Sequence, residues 1–146
     1  MPTVSRTRSV RAAPPDVWKI VSDPEHLPRW WPGVTRVEEA TPEAWTTVLA
    51  SPRGKSVRAD YTLVEAEALE RLVWRQEVEE SPFERILHEA VTELTLAPAD
   101  DGTEVGIKLR QRPRGFARFG FIQLRRAAGR QLDEALEALD AVVGGG

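Results

Sequence analysis

Apolar and polar residues alternate with a period of two along most of the chain, and near the end the period lengthens to that of a helix. Thr3 to Arg11 reads as a first strand, and Ala12–Ala13–Pro14–Pro15 ends it. Prolines followed by Asp16 suit a helix start, where a missing N–H loses no bond and a carboxylate meets the positive end of the helix dipole. Val17, Trp18, Ile20 and Val21 give this helix a buried side. Ser22–Asp23–Pro24 breaks it, Pro24 to Trp30 predicts one more short turn, and Pro32–Gly33 ends the excursion.

After Gly33 the alternation returns. Val34–Ala40, Ala44–Ala50, Ser56–Ala66, Arg71–Glu80, Glu84–Ala97 and Thr103–Arg112 read as strands separated by turn residues. With the first, these make about seven strands, and loops of hairpin length make consecutive ones antiparallel. From Ile122 onward, Leu124, Ala128, Leu132, Ala135, Leu136, Leu139 and Val143 recur at helical spacing. The apolar stripe of this long helix requires a partner surface, and the concave face of the sheet is the one of the right size. Gly129 within it costs ~1 kcal/mol relative to Ala, which signals close approach to a neighbour.

Opposite residues of a hairpin share a face, so the alternation also predicts registers. Pairing Glu67 with Glu70 sets Leu63 against Trp74, Tyr61 against Gln76 and Ala59 against Val78 inside, with Thr62 against Arg75 outside. Pairing Glu80 with Glu84 sets Val78 against Ile86, Gln76 against His88 and Trp74 against Ala90 inside, with Arg75 against Glu89 outside. Pairing Leu96 with Val105 sets Leu94 against Ile107 inside, with Glu93 against Lys108 and Glu89 against Arg112 outside. Registers chosen for the apolar face thus bring opposite charges together on the other. Each exposed pair is worth well under ~1 kcal/mol, so the agreement speaks for register and not for stability.

Composition narrows the function classes. A chain of 146 residues suits a single domain, here residues 1–143, with 144–146 a disordered tail. The net charge of −3 gives no support for nucleic-acid binding. The absence of cysteine removes disulfides, thiol nucleophiles and thiolate metal sites. No apolar run nears the ~20 residues of a membrane span, and the first residues lack the apolar core of a signal peptide. The expected location is the cytoplasm, with no membrane insertion. Nucleophile elbow, phosphate loop, dinucleotide fingerprint and His-Glu-x-x-His motifs are all missing from the sequence.

The order of elements, together with Ala13–Pro14–Pro15–Asp16–Val17–Trp18, Asp23–Pro24–Glu25 and Leu27–Pro28–Arg29–Trp30–Trp31–Pro32–Gly33–Val34, resembles the START/Bet v 1-like superfamily. The similarity continues through Asp101–Gly102–Thr103–Glu104–Val105 and the terminal helix, and it points to the polyketide cyclase/dehydrase and lipid-transport branch. The resemblance implies an α+β helix-grip fold, in which a curved seven-stranded antiparallel sheet wraps a long C-terminal helix. It also implies two short helices closing one end and a pocket between sheet and helix. Members include aromatic cyclases acting on poly-β-ketone chains, carriers of lipids, hormones and pigments, and stimulators of the Hsp90 ATPase. Fold alone does not choose among these.

On that frame the expected ligand-binding residues are Trp45, Tyr61, Leu63, Trp74, Gln76, His88, Ala90, Ile107, Leu109 and Gln111, with Phe116 and Phe119 at the pocket mouth. A few polar groups converging in an apolar cleft is the usual form of a small-molecule site. His88 is the candidate acid–base residue of this face, with Tyr61 beside it, because a neutral imidazole can take a proton next to a carbonyl and return it. The alternative is a buried histidine satisfied by Gln76 or Tyr61. Trp30 and Trp31 read as packing more than chemistry, His26 as surface, and the arginines from Arg110 to Arg130 as a mostly balanced solvated face. Two distant histidines make no metal site, and no cofactor is expected. The expected function is binding of a hydrophobic or aromatic small molecule, lipid- or polyketide-like, by a monomer or homodimer without turnover. A cofactor-free cyclase or dehydratase using His88 and Tyr61 is the alternative, and an Hsp90-activator-like interaction module is the weaker one.

Overall fold

A computed structural model describes residues 3–50, 54–79, 81–85, 87–114 and 121–144. The chain runs β1 (Thr3–Val10), α1 (Pro14–Val21), a 3-10 turn (Pro24–His26), α2 (Leu27–Trp30), β2 (Val34–Glu38), β3 (Ala44–Ala50) and β4 (Ser56–Glu67). It continues with β5 (Arg71–Glu77), a second 3-10 turn (Pro82–Arg85), β6 (Leu87–Ala99), β7 (Gly102–Pro113) and α3 (Phe121–Gly144). This is the α+β helix-grip architecture: one antiparallel seven-stranded sheet in the order β1-β7-β6-β5-β4-β3-β2. The excursion through α1 and α2 carries the chain from one edge of the sheet to the other.

Local chemistry sets that excursion. Pro14 opens α1 with Asp16 in its first turn, and Ser22 closes it, its backbone N–H and hydroxyl both donating to the Trp18 carbonyl. Asp23 then caps the 3-10 turn by accepting from the Glu25 N–H at 3.0 Å. Val17, Val21, Leu27 and Trp30 are the buried side chains of the two helices. Gly33, at φ +83°, turns the chain into β2, a conformation open to glycine at no steric cost.

The long helix α3 buries Ala128, Leu132, Ala135, Leu136 and Leu139. It crosses β1, and the close approach expected at Gly129 is present: the Arg6 guanidinium lies over that glycine and its Nε pairs with Asp133 at 3.2 Å. Further along, Asp140 accepts from Arg8 Nε and Nη2 at 3.2 and 3.1 Å and from the Arg11 backbone N–H at 3.3 Å.

The registers follow the alternation with three adjustments. β6 and β7 pair as expected, with Leu96 opposite Val105, Leu94 opposite Ile107, and Glu89 opposite Arg112. Between β4 and β5, Tyr61 faces Gln76 and Leu63 faces Trp74 as expected, but the hairpin closes on Glu67 and Arg71 instead of Glu67 and Glu70. A bulge between Leu63 and Glu65 absorbs the difference and turns Val64 out to solvent. Between β5 and β6, Trp74 faces Thr92 and not Ala90, a shift of two residues that keeps the paired side chains from Val91 to Thr95 on their expected faces. The 3-10 turn at Pro82–Arg85 lengthens this connection beyond a tight hairpin. A third irregularity, between Leu87 and Glu89 opposite β7, determines the fate of His88.

Candidate functional site

α3 packs toward β1 and α2 and leaves a cavity of about 210 Å³ over the inner faces of β3 to β7. Trp45, Tyr61, Trp74, Gln76, Ala90, Leu109 and Gln111, all expected there, line it. They lie close together because register aligns them: Trp45 is the direct partner of Tyr61, Tyr61 of Gln76, and Ala90 of Gln111. One wall is aromatic. Trp45 stacks on Tyr61 at 6.0 Å between centroids, Trp74 meets Trp45 edge-on at 6.1 Å, and Trp31 meets Trp74 edge-on at 6.1 Å. Such stacked and edge contacts suit the ring quadrupole.

Other expected residues lie elsewhere. His88 is exposed and does not line the cavity. The bulge places an extra residue between Leu87 and Glu89, so the alternation flips and buried Leu87 takes the inward position. The expected contact of Gln76 with His88 is therefore corrected to a histidine on the outer face. Ile107 is fully buried in the core, and Leu63 lines a smaller neighbouring crevice with Leu72 and Trp74. Phe116 and Phe119 lie outside the described residues.

The cavity also takes residues that alternation did not single out. Leu27 and Trp31 reach it from the α2 region, Phe83 from the β5–β6 connection, and Gln131 from α3. Thr92 lines it from β6, two residues beyond Ala90 on the same face. That spacing was the available signal for Thr92. Trp30, neighbour of Trp31, is buried in the core instead, with the two rings edge-on at 5.3 Å.

Electrostatically the cavity is quiet. Among the described lining residues Tyr61 is the one ionisable group. Burial pushes its phenol up to about 12, against which a hydrogen bond with Thr47 pulls the other way. The Thr47 hydroxyl also donates to the Ala59 carbonyl at 3.3 Å. Two donors of the cavity wall have no partner among the described residues, the Trp45 indole Nε1 and the Gln76 amide Nε2, and outside the cavity the same holds for Trp30 Nε1 and Arg114 Nε. Among the described residues no cluster of His, Asp or Glu is built to hold a metal, and no helix is long and apolar enough to cross a membrane.

The family model for polyketide cyclase / dehydrase and lipid transport matches residues 1–144. The chain belongs to this family. Its fold is shared with the di-domain ARO/CYC StfQ from the steffimycin biosynthetic pathway at a TM-score of 0.80 and 16% identity, covering 99% of this chain and 51% of that one. The chain thus spans about half the length of StfQ. A START superfamily protein from Mycobacterium smegmatis is similar over 98% of this chain and 97% of its own, at a TM-score of 0.76 and 17% identity. A protein from Thermobifida fusca matches over 99% and 94%, at a TM-score of 0.74 and 24% identity. At these identities the likenesses establish the fold, and family membership establishes a scaffold built for ligand binding or cyclisation. No curated protein matches the chain in sequence.

Proposed function

We propose that this family member binds a hydrophobic or aromatic small molecule, lipid- or polyketide-like, between the sheet and α3, and holds it without converting it. The observation that carries this reading is an apolar, aromatic-walled cavity whose described lining has no group able to move a proton near neutral pH. A general acid or base works best with a pKa near the operating pH, and a phenol at about 12 is far from it. In this reading Trp45, Trp74, Ala90 and Leu109 supply apolar contact, while Tyr61, Gln76 and Gln111 supply polarity. The cyclase alternative draws on the fold shared with StfQ. It would have to run through Tyr61 without His88.

The test is direct binding of a fluorescent apolar probe. N-phenylnaphthylamine should bind the wild-type chain with enhanced emission, and Ala90→Trp, which fills the cavity, should abolish the enhancement. His88→Ala should bind the probe like wild type. Equal binding by wild type and Ala90→Trp would overturn the cavity as the site.

A further inference from the structure

The two unpartnered donors that line the cavity say what kind of ligand it takes. Trp45 and Gln76 are each more than nine-tenths buried, and both line the cavity. They flank Tyr61 on one transverse row, as its direct partners on β3 and β5. Among the described residues no group accepts from either of them. A buried donor left unpaired is costly, and native structures rarely leave one without a function. The indole N–H is a donor in every state, so it fixes the sign of the missing group as an acceptor.

Charge narrows the class further. No cationic side chain is among the described lining residues. A carboxylate or phosphate buried here would lose its hydration with no counter-charge in exchange. We infer that the cavity selects an uncharged ligand presenting a carbonyl-type oxygen, such as an aryl ketone or quinone, to the indole N–H of Trp45 and the amide N–H of Gln76. This rests on the binding reading above and deepens it. It separates neutral oxygenated aromatics from fatty acids and other anions, which an apolar cavity by itself does not. Size agrees with a small fused-ring system: an apolar cavity of about 150 Å³ accepts benzene, and this one is larger at about 210 Å³.

Three probes of one shape test it by calorimetry: acetylnaphthalene, ethylnaphthalene and naphthoate, substituted at the same ring position. Wild type should bind the ketone about tenfold more tightly than the hydrocarbon, the size expected for one or two net hydrogen bonds, and the carboxylate most weakly. Trp45→Phe keeps the ring and removes the donor, and Gln76→Leu removes the amide. Each should lower the ratio of ketone to hydrocarbon affinity toward one, whatever it does to the two affinities separately. Equal affinity of wild type for ketone and hydrocarbon, or tighter binding of the carboxylate, overturns the inference and leaves the apolar cavity as a binding site. A preference that survives in both variants overturns the assignment to these donors. If the ketone and N-phenylnaphthylamine both fail to bind wild type, the binding reading falls, and the inference with it.

Discussion

Tyr61 lies nearly parallel to Trp45, with 13° between the ring planes and 6.0 Å between centroids, while its hydroxyl bonds to Thr47. Both ends of the side chain are thus engaged, and the burial that disfavours a phenolate outweighs the Thr47 hydrogen bond that favours it.

That arrangement has a pH signature. Burial favours the neutral phenol, so the native chain keeps its proton up to about 12, whereas an unfolded tyrosine releases it near its ordinary value of 10. The resulting stability is intact below the unfolded value and is lost as pH rises toward the folded one. The chain has a single tyrosine, so tyrosinate absorbance reports this site alone. Native protein should show little tyrosinate at pH 10.5, and denatured protein should be more than half ionised there. A native midpoint near 10 would refute the enclosed phenol.

Gly102 should tolerate no side chain. It sits at φ +153°, where a Cβ would collide with the Val10 carbonyl oxygen, a backbone atom that cannot step aside. Gly54 has a comparable requirement at φ +78° but open space around it. Gly102→Ala should cost on the order of 3 kcal/mol and Gly54→Ala about 1 kcal/mol, read as shifts of the urea midpoint. Equal shifts would show that the close approach to β1 has no energetic weight.

Leu69 invites a gain. It is a non-glycine residue at φ +68° in the β4–β5 turn, where the Glu70 N–H returns to the Glu67 carbonyl, and its side chain is exposed. Leu69→Gly removes the left-handed penalty without losing a buried contact and should stabilise the fold by about 0.5–1 kcal/mol. The urea midpoint should rise with an unchanged slope, and a fall would refute the assignment.

The two acids that tie α3 to β1 should differ. Asp140 is mostly enclosed and serves both Arg8 and the Arg11 N–H, whereas Asp133 and its partner Arg6 are both well exposed. Asp140→Ala should cost about 1 kcal/mol because it removes three hydrogen bonds to one mostly enclosed carboxylate, and Asp133→Ala less than about 0.5 kcal/mol. Thermal denaturation of the two variants side by side decides this, and equal losses would contradict it.

The sequence carried most of the sheet because alternation is a strong constraint wherever a tight turn fixes its phase. Gly102 closes the β6–β7 hairpin, and from that point every expected pair from Leu96 to Glu89 appears. Alternation has no means of reporting an extra residue, since a bulge breaks the period it depends on. His88 therefore lies on the face opposite to the one its alternation predicts, while Ala90, two residues further, keeps the predicted inward face. Tyr61 and Gln76 pair as alternation predicts although the turn beyond them is one residue longer than predicted, because the bulge at Val64 compensates. Gln131 and Trp31 were out of reach for another reason. Where a helix lies across a sheet depends on tertiary packing such as Arg6 over Gly129, which no local period encodes.

The bulges also bear on how this chain can change length over evolutionary time. Val64 is unpaired, and the strand parity that faces the core reverses across it: Tyr61 and Leu63 point inward before it, and Ala66 pairs with inward Leu72 after it. Deleting Val64 would leave every flanking residue on its present face, whereas deleting a residue from the regular run of β7 would turn half a strand inside out. Insertions and deletions in descendants of this chain should therefore collect at Val64 and His88, where a residue can be gained or lost without disturbing the cavity wall.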